Sequence, residues 1–130
     1  MIILLDTSTE TCRLALVDSQ NVRHDYAWEA GRSLSVGLLG FLRDKLAEHQ
    51  QRFEDITAIG VMKGPGSFTG LRIGLTVLNT IANDREIPIV GVEAGDTWQD
   101  DALARLANNE NDQIVLPEYG AAANITKPRK

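Results

Sequence analysis

The sequence has one cysteine, Cys12, so no intramolecular disulfide can form and a reducing compartment is the simplest setting. It has no excess of positive charge: 13 Lys and Arg stand against 18 Asp and Glu, a net charge of −5. A body of that sign cannot grip a phosphate backbone unaided, so any nucleic acid is expected to be held by another protein. No apolar run approaches the ~20 residues of a membrane span. The chain opens on the strand-like 1-MIILLD-6 without a basic region, an apolar stretch and a small-residue cleavage site. No secretory leader is therefore expected, and the predicted location is the cytoplasm.

Parts for catalysis are also scarce. His24 and His49 are the only histidines, on a predicted strand and at a predicted helix end, and lack the short helical spacing of metal ligands. Both read as surface residues, and no metal site or cofactor is expected. Cys12 lacks the setting of an activated thiolate and reads as a small buried side chain. The carboxylates Asp100, Asp101 and Glu110 to Asp112 read as solvated. No nucleophile–base pair can be named, which argues against a peptidase and leaves no catalytic residue to assign.

What is present fits one domain. The 130 residues suffice for a single core and are too few for two full lobes with a cleft between them. Apolar residues at 43% and charged residues at 24% give a globular balance. The run 2-IILL-5 predicts a central strand buried on both faces, 13-RLALVD-18 alternates as a half-buried strand, and 22-VRHDYAW-28 reads as a third, more polar one. The period then lengthens: 33–50 reads as a helix with Ser33 as N-cap, followed by a strand at 57–62, a helix over about 71–84, a strand at 87–92 and a helix over about 96–108. Three antiparallel strands followed by helix, strand, helix, strand is the order of a ribonuclease-H-like α/β lobe with a five-stranded mixed sheet. That lobe is the half-unit of the acetate and sugar kinase, heat-shock and actin superfamily.

The loop 64-GPGSFTG-70 has three glycines and a proline between a strand and a helix, the components of an anion cradle. It matches neither the Walker A pattern nor the dinucleotide fingerprint. Ser67 and Thr69 can face an anion or cap the helix starting near Gly70, and spacing alone leaves a phosphate site and a structural turn equally open. Phe68 at the loop tip favours structure or a partner.

The two predicted helices that follow carry more apolar surface than one core needs. In the first, Leu34, Leu38, Leu39, Phe41, Leu42 and Leu46 form the core stripe, while Ser33, Val36, Gly37, Gly40 and Ala47 make a second, small-residue side. Each interior glycine costs ~1 kcal/mol relative to alanine, so two of them predict a close neighbour. In the second helix, Leu71, Leu75, Leu78, Ile81 and Ala82 face the sheet, while Ile73 and Val77, with Thr80 beside them, point elsewhere.

The segment GPGSFTGLRIG, the opening ILLDTSTETCRLALVD, the stretch IPIVGVEAGDTW and the end LPEYGAAANITKPRK together resemble the TsaB family. Its members are non-catalytic paralogues of TsaD in bacterial threonylcarbamoyladenosine synthesis on tRNA. The resemblance covers roughly residues 1 to 98 and 114 to 130. It implies a subunit that docks on TsaD, with Ser33, Val36, Gly37, Gly40, Ile73, Val77 and Thr80 at the interface. TsaD would then transfer a threonylcarbamoyl group to the adenosine adjoining the anticodon.

The family also implies a homodimer when isolated, contact with tRNA only through the complex, and leaves open whether the ATPase TsaE joins. Members carry two such lobes, whereas about fifteen residues between Thr97 and Asp112 stand here in place of much of the second. The expected division is therefore 1–95, the N-terminal lobe, and 96–130, a residual second-lobe helix and tail packed on the same domain. Without the second lobe's base-binding wall, Asp6, Gly64, Gly66, Ser67, Thr69 and Gly70 would form a vestigial phosphate site with weak anion binding at most. Two other readings stay open: a nucleotide- or phosphate-binding half-enzyme completed by a partner chain, and a homodimeric scaffold. The basic tail residues Lys127, Arg129 and Lys130 read as a solvated terminus.

Overall fold

The computed structural model describes residues 1–119. Its sheet runs β3-β2-β1-β4-β5, with β1 Ile2–Asp6, β2 Thr11–Val17, β3 Arg23–Glu29, β4 Ala58–Gly64 and β5 Ile89–Glu93. β1, β2 and β3 form the antiparallel meander, and β4 and β5 run parallel to β1. This is the ribonuclease-H-like, actin-like lobe that the order of elements predicts.

Strand alternation builds two cores. Ile3 and Leu5 of β1, Leu14 and Leu16 of β2, and Ile59 and Val61 of β4 face the helices α1, Leu34–Ala47, and α2, Phe68–Arg85. Leu4, Ala15, Val17, Val90 and Val92 face the other way, against α3, Trp98–Ala107. β1 is buried from both sides, as its unbroken apolar run requires. Gly60 lets α3 approach: a Cβ there would stand 2.7 Å from Leu4 and 2.9 Å from Ala102.

Three local expectations change. Ser33 makes no side-chain cap; it ends a 3₁₀ turn, Gly31–Ser33, that leads into α1. α2 starts at Phe68, three residues earlier than the apolar period suggests, because Ser67 caps it by accepting from Gly70 N. Leu39 is exposed, since burial in α1 follows the narrow i+4 row Leu34, Leu38, Leu42 and Leu46.

The segment after α3 closes the outer side of β5. Asp112 N donates to Ile89 O at 2.8 Å, Ile89 N to Asn111 Oδ1 at 3.2 Å and Gly91 N to Asp112 Oδ2 at 2.9 Å. Val115 is buried against Gly91, and its backbone is held at both N and O by the Asn79 amide of α2, each bond 2.9 Å.

Candidate functional site

The glycine loop lies directly on the β1–β2 turn. Ser67 N donates to Ser8 O at 2.7 Å, and Thr7, 1% exposed, donates its hydroxyl to Gly70 O at 2.7 Å. A Cβ on Gly66 would stand 2.5 Å from Ser8 Cβ; one on Gly70 would meet the Thr7 carbonyl, and one on Gly74 the Thr7 hydroxyl. Gly64 has φ +127°, and a Cβ there would run into Glu118 O. These glycines thus serve close packing between two loops and the segment after α3.

The donors at the start of α2 are partly engaged: Gly70 N with Ser67 Oγ at 3.2 Å and Leu71 N with Ser67 O at 2.9 Å. Thr69 is exposed in the first turn. Asp6 accepts from Ser8 N at 2.8 Å, which fixes its carboxylate at the end of β1. Burial, with the Asp6 charge second, pushes the Cys12 thiol up to about 12, so it stays protonated at neutral pH. Thr7 organises this junction, although in the sequence it stands as one polar residue of a turn. Its signal was position, directly after a doubly buried strand.

The helix pair presents an open face. Val36 is 85% exposed and Leu39 54% exposed on α1. Ile73 and Val77 are half-buried and line a groove of about 450 Å³ with Ser35, Thr69, Arg72 and Thr76. Thr80 is exposed on the next turn of α2 and donates its hydroxyl to Thr76 O at 2.7 Å. Gly40 has only the Arg43 guanidinium near, at 3.6 Å, which leaves room above it.

Gly37 differs from Gly40: its close neighbour is the Trp28 indole of β3, 2.7 Å from where a Cβ would stand. Trp28 also packs on Phe41, with ring centroids 5.2 Å apart. At the loop tip, Phe68 stacks on Tyr119 at 4.7 Å and lies 5.2 Å from the Arg72 guanidinium.

Several groups read as isolated are in fact joined. The rings of His24 and His49 lie 4.3 Å apart; His24 Nε2 contacts Asp18 at 3.0 Å and His49 Nε2 contacts the Tyr26 hydroxyl at 2.7 Å. The bond to His24, with backbone N–H groups, holds the Asp18 carboxyl below its usual range. Among the described residues no group of three His, Cys, Asp or Glu is placed to hold a metal ion.

Asp112 and Glu110 are not simply solvated: Arg105 binds Asp112 at 2.5 Å and Glu110 at 2.6 Å, and donates to Gly91 O at 2.9 Å. Burial pulls the Asp112 carboxyl up, but Arg105 and the Gly91 N–H outweigh it and leave it below the usual range. Asp100 is paired with Arg23 of β3. No helix among the described residues is long and apolar enough to cross a membrane. Lys127, Arg129 and Lys130 lie outside the described residues.

The family model for TsaD, tRNA N6-adenosine threonylcarbamoyltransferase, matches residues 28–113. The tRNA threonylcarbamoyladenosine biosynthesis protein TsaB of Bacillus subtilis is 34% identical over 96 residues, covering 74% of this chain and 42% of that one. The chain belongs to the TsaD family, on its TsaB branch. The TsaB protein of Escherichia coli is 31% identical over 110 residues, covering 81% of this chain and 47% of that one. YeaZ from Pseudomonas aeruginosa superposes with a TM-score of 0.68 at 29% identity, over 82% of this chain and 49% of its own. The chain thus spans about half the length of the curated relatives it matches.

Proposed function

We propose that the chain is a non-catalytic, cytoplasmic subunit of tRNA threonylcarbamoyladenosine biosynthesis that docks through α1 and α2 on the catalytic TsaD. The single observation behind this is the open apolar face of the helix pair, in a chain on the TsaB branch. Val36, Leu39, Ile73 and Val77, with Gly40 leaving clearance, offer a strip that a partner's helices can cover. Ser33 and Thr80 lie at its margins. Gly37, packed under Trp28, contributes by setting how α1 sits on the sheet.

In this reading TsaD performs the transfer to the adenosine beside the anticodon. The subunit stabilises and orients TsaD, and tRNA is met only through the complex. The glycine loop supports it structurally, because its tight seat on the β1–β2 turn fixes the start of α2. The Gly70 and Leu71 N–H groups there are already engaged by Ser67, so phosphate binding is the lesser reading.

The test is co-elution with TsaD of the wild-type chain and of Val36→Asp, whose side chain projects into solvent. Loss of pairing in a variant that keeps its melting temperature supports the face. Pairing at wild-type affinity places the interface elsewhere.

A further inference from the structure

Arg72 is exposed on α2, one turn after Phe68, and its guanidinium lies 5.2 Å from the centre of that ring. The i,i+4 spacing and the aromatic face hold the cation above the helix surface. No opposite charge holds it. The ion pairs among the described residues engage Arg23, His24, Arg43, Lys45 and Arg105, and Arg72 is in none of them.

Two grooves meet at this residue. One is the helix-face groove of about 450 Å³ with Ile73 and Val77; the other, of about 200 Å³, lies between α2 and the segment after α3, against Leu75, Val115, Leu116, Pro117 and Tyr119. Arg72 and Thr76 line both. The second groove opens onto apolar surface, since Leu116 is 72% exposed and Phe68, stacked on Tyr119, is 56% exposed. Among the described residues that line either groove, Arg72 alone carries a full charge.

We infer that the docked partner crosses α2 at Arg72 and sets an aspartate or glutamate on its guanidinium, with apolar side chains in the grooves on either side. This rests on the reading that the helix pair docks on TsaD, and adds to it one required polar contact and a second groove. A partner that covers Ile73 and Val77 also takes Arg72 out of water, because the three share one groove. A cation buried without an acceptor is strongly destabilising, whereas a carboxylate fits the planar guanidinium fork through two parallel hydrogen bonds. No carboxylate lines either groove among the described residues, so the partner must supply it. Phe68 already restricts the arginine, which leaves less freedom to lose when the pair forms. In a chain of net charge −5 a carboxylate is repelled by much of the surface and accepted here, so the pair also fixes the register of docking.

The experiment is calorimetric titration of the full chain and its variants with TsaD from the same organism, with melting temperatures measured in parallel. Arg72 and Leu116 are exposed, so their variants are expected to melt as wild type does. Arg72→Met is expected to weaken binding roughly thirtyfold, the scale for removing one partner of a buried, hydrogen-bonded charge pair. Arg72→Glu, which brings like charges together, weakens it further. Arg72→Lys keeps the charge without the fork and falls between wild type and Arg72→Met. Leu116→Asp weakens binding on the order of tenfold or more, as a polar group forced into an apolar contact should. Wild-type affinity in the Arg72 variants with binding lost in Val36→Asp, or equal affinities of Arg72→Met and Arg72→Glu, would overturn this inference and leave the helix face standing. Wild-type affinity in Val36→Asp, or no binding by wild type, would overturn the helix-face reading and this inference with it.

Discussion

The indole of Trp28 on β3 lies over Gly37 of α1, so close that a Cβ at 37 would stand 2.7 Å from the ring. Helix and edge strand are therefore matched at this point, and the glycine's neighbour is within the chain. Gly37→Leu must move Trp28 or the helix, and overpacking of this kind costs about 1–3 kcal/mol, offset in part by the better helix propensity. The expected result is a lower urea midpoint in Gly37→Leu, relieved by Trp28→Leu in the double variant. Equal stability of Gly37→Leu and wild type would remove the contact from the account.

Gly40 makes the contrast. With only the flexible end of Arg43 near it, Gly40→Ala should gain up to about 1 kcal/mol of helix stability. Thermal melts of Gly37→Leu and Gly40→Ala should move in opposite directions.

Thr7 joins the glycine loop to the first turn through its buried hydroxyl. Thr7→Val keeps the shape and leaves Gly70 O without this donor, a loss of about 1–3 kcal/mol. Hydrogen exchange should quicken at the start of α2 and stay unchanged in α3.

The strap after α3 is held by Asn79 and by the Arg105–Asp112 pair. Asp112 has a folded-state pKa below its unfolded value, so it stabilises the fold above ~4 and loses that contribution as the pH falls through the lower folded value. Asp18, lowered by its bond to His24, acts in the same direction. Between pH 7 and pH 3, wild type should therefore lose more stability than Asp112→Asn, as read from urea midpoints. Parallel losses would show that the pair contributes nothing.

Much of the fold was legible in the sequence because β1 is a continuous apolar run, the period lengthens after β3 from two toward 3.6, and the short apolar strands β4 and β5 interrupt the helices that follow. Less legible were contacts that depend on where distant elements land. His24 and His49, 25 residues apart in the chain, meet because α1 ends over the start of β3. Leu39 looked like core because a helical wheel shows a broad stripe, while the sheet accepts one i+4 row.

The candidate site divides in the same way. Val36, Ile73 and Val77 could be singled out as apolar residues off the core stripe, and they lie on the open side of the helices. Gly37 could not be separated from Gly40, since their difference rests on one indole from another element. Asp112 could not be distinguished from solvated carboxylates without the fold that brings Arg105 beside it.

The most direct measurement is calorimetric titration of this chain with TsaD from the same organism, with and without ATP. Docking through the helix face predicts binding at micromolar or tighter affinity, unaltered by nucleotide on this chain and abolished by Val36→Asp. Absence of heat and of co-elution, or binding that requires ATP and is lost in Asp6→Ala, would contradict it.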